Sequence, residues 1–403
     1  MELFWMEHKK LWRKSSVKIS VLLCFAYMVI FGSILSFQWF SFGSWDGYTT
    51  AFGNHFDGYS VIKDSQEYAL SFEGDLTDET LQQLVRDYQR MKAAGMNEEA
   101  QKTDYQIINT WLMILWPELM DTSDYRLMIG YVDPDKLIGL YERRQQAIED
   151  FLENNNQVGN EREYILQIDE KVNKPLHYGW AQGWSVFLGD TIEGLGIVMA
   201  LFIAIALSSM FAGEWHDNTS SLVLTTKNGW KEIARAKIAT GLAFTIELFA
   251  ILMLGMVVVQ MFYMGTAGWD MPIQNIKMLA IAPMNMLQAE IYEFAFALLG
   301  AVGFAGVVML ISSAVKNNVL ALLFSLAVVY VPPMIVKYFP YEMQKAMDLI
   351  PLAGSGSDIF RTNTFNIFGK IIWSPYLLIT VPVLIGIVCM LFAVKRWSRR
   401  LKV

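Results

Sequence analysis

The chain has 403 residues, 54% of them apolar and 14% aromatic, with a mean hydropathy of +0.31 and a formal charge of −7. That apolar share exceeds what an ordinary soluble domain carries and directs the reading to membrane spans. The acidic balance gives no reason to expect a nucleic-acid partner. The only two cysteines, Cys24 and Cys389, fall inside apolar runs, so neither a disulfide framework nor a thiolate metal site is available.

Residues 1–16, "MELFWMEHKKLWRKSS", mix aromatics with basic residues. They suit either a helix lying in the interface plane or a charged flank with aromatic anchors. A bilayer core about 30 Å thick takes roughly 20 apolar residues per helix. Six runs reach that length: Val17–Phe40, Leu188–Ala212, Ile238–Met264, Met286–Ser312, Val319–Val336 and Ile371–Val394. The first (17–40) is too long for a cleavable signal and lacks a small-residue cleavage site. The expected fold is therefore an α-helical polytopic membrane protein of six transmembrane helices, with a large, mainly helical extracellular domain (41–187) between helices one and two. Residues 188–403 supply helices two to six.

Within 41–187, "EYALSF" (Glu67–Phe72) alternates weakly and reads as a short strand. Thr77 and Asp78 cap a helix that carries Leu81, Leu84, Val85, Tyr88 and Met91 on one face. Asp133-Pro134 starts another, with Leu137, Ile138, Tyr141, Ile148, Phe151 and Leu152 inward. "NNNQVGN" ends it, and "EREYILQIDEKV" forms one more. This region holds 25 acidic against 12 basic residues, a balance of −13, whereas the rest of the chain holds 14 against 20. The basic segments fall on one side of six spans: the amino end, residues 213–237, Lys316 and the tail "KRWSRRLKV". The positive-inside rule makes that side, and both termini, cytoplasmic.

Gly300, Gly303 and Gly306 recur every third residue in "LLGAVGFAGVV" and clear a groove for a second backbone. Pro332-Pro333 and Pro382 are expected to bend spans five and six. The Gly-Ser run of "IPLAGSGSDIF", in the last outer loop (Lys337–Lys370), lacks the Lys and the strand-to-helix setting of a phosphate cradle and reads as a turn.

There is no GxxxxGK[ST], no HExxH and no Ser-His-Asp signature, and the four histidines are scattered over both faces. No enzyme and no metal site is expected. Three intramembrane acids are candidate pathway residues, because an ionised carboxylate in lipid calls for a partner, a cavity or water. Glu247, ten residues beyond Lys237, is roughly 15 Å deep. Glu290 and Glu293 sit near the outer end of span four. Asp190 and Glu193 fall near the outer end of span two, and for all four of these outer acids the other reading is placement at headgroup level.

The stretch "GEWHDNTSSLVLTTKNGWKEIARAKI" (Gly213–Ile238) interrupts the apolar runs with a glutamate, a Leu-Val-Leu patch, an Asn-Gly turn and a basic helix start. With the six-span frame, it resembles the permease subunits of ABC exporters of the ABC-2 type. In that family a glutamate ends span two, a short coupling helix carries a Thr and a Leu pair, and a basic segment enters span three. The matching positions are Glu214, Thr219, Leu222, Val223, Leu224, Arg235 and Lys237. "SSAVKNN" (Ser312–Asn318) is similar to the family's turn between spans four and five, and "EHKKLWRKS" to its entry helix. The family's Gly before the Thr is Asn218 here, and "NGW" with Lys227 replaces its Pro-plus-Arg. The outer domain lies outside the resemblance.

The resemblance implies a transport subunit in a bacterial cell membrane, without nucleotide chemistry of its own. ATP and Mg would be bound by a separate cytoplasmic ABC ATPase gripping the coupling segment, and a second permease copy or a sibling would complete the pathway. The cargo would be an amphipathic peptide, drug or lipid-like molecule, and the acidic outer domain would suit cationic antimicrobial peptides. Glu214, at a helix C-terminus, is disfavoured by the dipole and calls for a cation, either from the elbow that follows or from the ATPase. The competing class is a ligand-sensing receptor subunit that uses the outer domain.

Overall fold

In the computed structural model, the described residues are 2–41, 48–49, 55–56, 59–94, 103–121, 127–185, 188, 190–216, 229–353, 359 and 361–400. Helix α1 (Glu2–Arg13) breaks at Lys14 and is followed by α2 (Ser15–Ser41). Strands β1 (Tyr48–Thr49) and β2 (His55–Phe56) pair antiparallel. Then come α3 (Tyr59–Leu70), β3 (Gly74–Asp75), α4 (Asp78–Ala93), α5 (Thr103–Leu115), α6 (Leu140–Asn154) and α7 (Asn160–Asp169). Strand β4 (His177–Tyr178) returns antiparallel to β3, and α8 (Gln182–Ser185) leads to the apolar bundle.

That bundle contains α9 (Asp190–Leu207), α10 (Ser209–His216), α11 (Gly229–Tyr263), α12 (Met286–Ala314), α13 (Asn318–Ile335) and α15 (Ser374–Arg400). Between the last two lie α14 (Tyr341–Asp348) and a hairpin, β5 (Thr364–Ile367) with β6 (Lys370–Trp373). Among the described residues, five helical stretches are long and apolar enough to cross a membrane: Gly196–Trp215, Lys231–Tyr263, Met286–Ala314, Asn318–Tyr338 and Ser374–Trp397. The chain is a multi-pass helical membrane protein. A shorter apolar stretch, Ser15–Ile30, belongs to α2.

The glycine stripe works as its spacing suggests. A Cβ on Gly303 would lie 2.3 Å from the Pro382 carbonyl oxygen, and one on Gly306 would lie 2.4 Å from that of Gly386. Only glycine lets α12 and α15 approach this closely. Gly300 faces the side chain of Leu352 instead. Pro332 and Pro333 fall in the last turn of α13, just before a 3-10 turn at Val336–Tyr338, so they sit at the end of that helix.

Residues between α2 and α9 form a second core. Thr77 accepts from the Thr80 N–H and starts α4, whose Leu81, Leu84, Val85 and Tyr88 are buried with Tyr105, Trp111 and Trp116. Two expectations need correcting. Residues 67–70 end the helix α3, with Ile62 and Ala69 buried one above the other, so "EYALSF" is not a strand. Pro134 starts only a three-residue 3-10 turn, and α6 begins after Gly139, which is left-handed at φ 75°. The Asp78 carboxylate accepts the N–H groups of Gly139 and Leu140 at 2.7 and 2.9 Å, capping α6 from another element. Ile138 and Phe151 are exposed in consequence, while Leu137, Ile148 and Leu152 are buried.

This second unit is bolted to the bundle. The fully buried Arg144 of α6 holds Asp169 of α7 with two hydrogen bonds, of 2.9 and 2.6 Å. Its Nε and a second Nη2 hydrogen reach the carbonyls of Met278 and Ala280 in the loop between α11 and α12, both at 2.8 Å. Gln157 and Thr362 exchange hydrogen bonds on a second contact, and Trp184 donates to the Ala267 carbonyl on a third.

Candidate functional site

The end of the bundle opposite this unit, the proximal end, collects α1, α10, the start of α11 and the end of α15. The apolar run entering it is not one helix. It stops at Ser208 without a proline and restarts as α10. A restarted helix leaves its first N–H groups without intrahelical partners. Ser312 of α12 supplies them: its hydroxyl donates to the Ser208 carbonyl at 2.7 Å and accepts from Phe211 and Ala212 at 3.0 and 3.1 Å. One buried hydroxyl thus repairs a break in a membrane helix, as such interruptions require.

At its other end α10 presents Glu214, 5% exposed. Its Oε1 accepts from Lys237 of α11 at 2.9 Å and from Lys10 of α1 at 2.7 Å. Lys237, 1% exposed, also reaches Glu7 of α1 at 2.9 Å. Among the described residues two lysines and two glutamates face one another here, opposite charges paired as burial requires. Lys14 donates to the Ser209 hydroxyl at 2.7 Å, adding a bond between the α1–α2 junction and the start of α10. Beside this cluster α10 also carries aromatics: Trp397 of α15 lies 5.4 Å from Phe211 and 5.7 Å from Trp215, and the Lys316 ammonium is 5.2 Å over the Trp215 ring.

Glu214 and Lys237 therefore meet, and the glutamate has the elbow cation that its position at a helix C-terminus calls for. Arg235 does not join them; it is exposed and near Glu232 at 3.8 Å. Thr219, Leu222, Val223 and Leu224 lie outside the described residues, as does the whole segment 217–228 that the Glu214–Lys237 pair brackets. The sequence reading missed Glu7, Lys10, Ser209 and Ser312 as partners.

The three candidate pathway acids do not form one group. Glu247 accepts from the Trp12 indole N–H at 3.0 Å and is 3.2 Å from His8 Nε2, so α1 supplies its polar partners while its side chain stays 41% exposed. Helix α11 has 35 residues, about 52 Å, longer than a hydrocarbon core of about 30 Å. Glu290 and Glu293 of α12 are buried, and Glu290 hydrogen-bonds Gln260. Gln260 lies 13 residues beyond Glu247 on α11, about 20 Å away. Asp190 and Glu193 have side chains outside the described residues.

Among the described residues, no group of three or more His, Cys, Asp or Glu side chains is placed to hold a metal ion. What the site offers is mechanical: two helix ends and an entry helix locked together by buried charge. Comparison with protein-family models gives no match for this chain, and comparison with curated proteins gives none either.

Proposed function

We propose that the chain is the permease subunit of an ATP-driven ABC exporter, with α2 as its sixth span and residues 217–228 as the docking segment for a cytoplasmic ATPase. The observation that carries the reading is the Glu214–Lys237 pair. It ties together the two helices that flank the docking segment, so a push on that segment would reach α10 and α11 as one body. Through Lys10 and Glu7 the same push reaches α1 and, beyond it, α2. The break at Ser208 gives the push a place to be absorbed. On this reading ATP and Mg belong to the partner ATPase. A second permease copy or a sibling completes the pathway for an amphipathic peptide, drug or lipid-like cargo, moved outward across a bacterial cell membrane.

The test is co-purification with an ATPase encoded beside this chain, for the unaltered protein and for Glu214→Lys. Stable association that weakens in the variant supports the reading; association unchanged by the charge reversal removes Glu214 from it.

The alternative, a ligand-sensing receptor subunit, draws on Arg144. That residue connects the 41–187 unit to the α11–α12 loop, so a ligand-driven shift outside would reach two spans. Titrating the full-length protein with cationic and neutral peptides tests it, and the absence of saturable binding to either class counts against a sensor.

A further inference from the structure

The β5–β6 hairpin carries a feature that neither its own fold nor a transport pathway accounts for. Ile367 pairs with Lys370, so the loop is the two residues Phe368-Gly369, with φ of 50° and 80°. Two positive φ values define a type I′ turn, whose first position favours Asn, Asp or Gly because a Cβ strains the left-handed region. Here that position holds a phenylalanine. Its ring has no compensating contact, since Phe368 is 104% exposed. A strained, fully exposed aromatic needs an external partner to be worth its conformation.

Three observations identify that partner as lipid. The hairpin is continuous with a membrane span: β6 ends at Trp373 and α15 begins at Ser374, with no intervening residue. At about 3.3 Å per residue, four-residue strands keep the tip within about 13 Å of that junction, close enough to reach the membrane interface. The second is the company it keeps. Tyr338 closes the stretch Asn318–Tyr338, Tyr341 and Met343 lie just beyond it on α14, and Tyr376 is in the first turn of α15; all are exposed. Exposed aromatics at the ends of two spans form an interfacial belt. The third is a tether. Lys345 of α14 donates to the Thr364 carbonyl at 3.1 Å, and the Tyr341 hydroxyl to Asn363 at 3.0 Å, so hairpin and belt are one unit. Thr364 and Trp373, opposite each other, are buried, whereas Ile367 and Lys370 at the tip are exposed.

We propose that this hairpin is a membrane-interface anchor. Phe368 and Ile367 enter the upper acyl region of the leaflet facing the 41–187 unit, and the Lys370 ammonium meets lipid phosphate. Burying a phenylalanine side chain in acyl chain outweighs the strain of one left-handed residue. The proposal rests on the chain being a multi-pass membrane protein and is independent of its being an exporter.

The experiment uses the full chain with Cys24 and Cys389 replaced by alanine, in nanodiscs of phosphatidylcholine and phosphatidylglycerol in equal parts. A nitroxide is placed at Ile367→Cys, and its relaxation by oxygen and by an aqueous nickel chelate is compared. Leu391→Cys serves as the span control and Glu153→Cys as the soluble-domain control. The expected result is an oxygen-to-nickel ratio near that of position 391 and several-fold above that of position 153. Adding Phe368→Asn, which suits a type I′ turn better than the native residue, should lower the ratio at 367 several-fold with the fold intact. A ratio equal to position 153 overturns the proposal. So does low access to both reagents, which would mean that protein, a second copy or another chain, covers the tip. A ratio unaffected by Phe368→Asn overturns the assignment of Phe368 as the anchor.

Discussion

Glu214 lies between two ammonium groups, and almost no water reaches it. Removing one member of such a cluster leaves an uncompensated charge in a low-dielectric site, at a cost of about 3–5 kcal/mol. Glu214→Gln and Lys237→Met should therefore each lower the melting temperature of the purified protein markedly. The double variant should lose less than the two singles together, because it removes both charges at once. Additive losses would mean that the two residues do not interact. Ser312→Ala strands one carbonyl and weakens two N–H groups, for about 1–3 kcal/mol. Hydrogen exchange at Phe211 and Ala212 should speed up, while exchange in α15 stays unchanged. At this scale the sequence was half legible. The need of Glu214 for a cation follows from its place at a helix end, and Lys237 was among the residues at hand. Lys10, 204 residues away, carries no local signal, and neither does the link from Ser312 to Ser208.

Among the elements, the glycine stripe and the broken helix make opposite lessons. Gly303 and Gly306 announce a close crossing because small residues at fixed spacing have one common use in a membrane helix. The partner, α15, was not legible. Gly306→Ala should cost about 1–3 kcal/mol through overpacking against Gly386, whereas Gly196→Ala, with no atom nearer than 3.9 Å to the added methyl, should be neutral. Thermal unfolding in detergent distinguishes the two. The break at Ser208 escaped the sequence because Gly196–Ala212 is apolar apart from Ser208 and Ser209, with neither proline nor a capping box, and the cap comes from another helix. The start of α6 was misplaced for a similar reason: Pro134 is a good first helical residue, but Gly139 and the distant Asp78 decide where the helix begins. "EYALSF" was misread because six residues are too few for a period of 2 to be told from one of 3.6.

Over the whole molecule, the composition sufficed for a multi-pass helical protein with a large acidic insertion, but not for how that insertion is held. Arg144 joins α6, α7 and the α11–α12 loop, and it looks like any surface arginine in sequence. Arg144→Ala should leave Asp169 buried with only Lys174 nearby, at 3.7 Å, and cost about 3–5 kcal/mol. Limited proteolysis should then release the 41–187 unit from the bundle sooner than from the unaltered protein. The unit also has a defined alkaline limit. Burial raises the hydroxyl pKa of Tyr68, Tyr88 and Tyr141 above the ordinary 10.0, and for Tyr68 the neighbouring Tyr105 and Asp87 raise it further. A raised folded-state value means that stability is complete below about pH 10 and falls as the pH rises beyond it. The tyrosinate absorbance that these three tyrosines contribute should therefore appear together with loss of helical signal, not before it.

We propose that residues 217–228 transmit the work of a separate ATPase into α10 and α11; the most direct test reconstitutes the chain with a candidate ABC ATPase and measures ATP hydrolysis with and without Leu222→Asp. The account predicts hydrolysis that depends on the permease and collapses in the variant, while the thermal stability of the variant chain is retained. Hydrolysis that ignores the permease, or that Leu222→Asp leaves untouched, would contradict it.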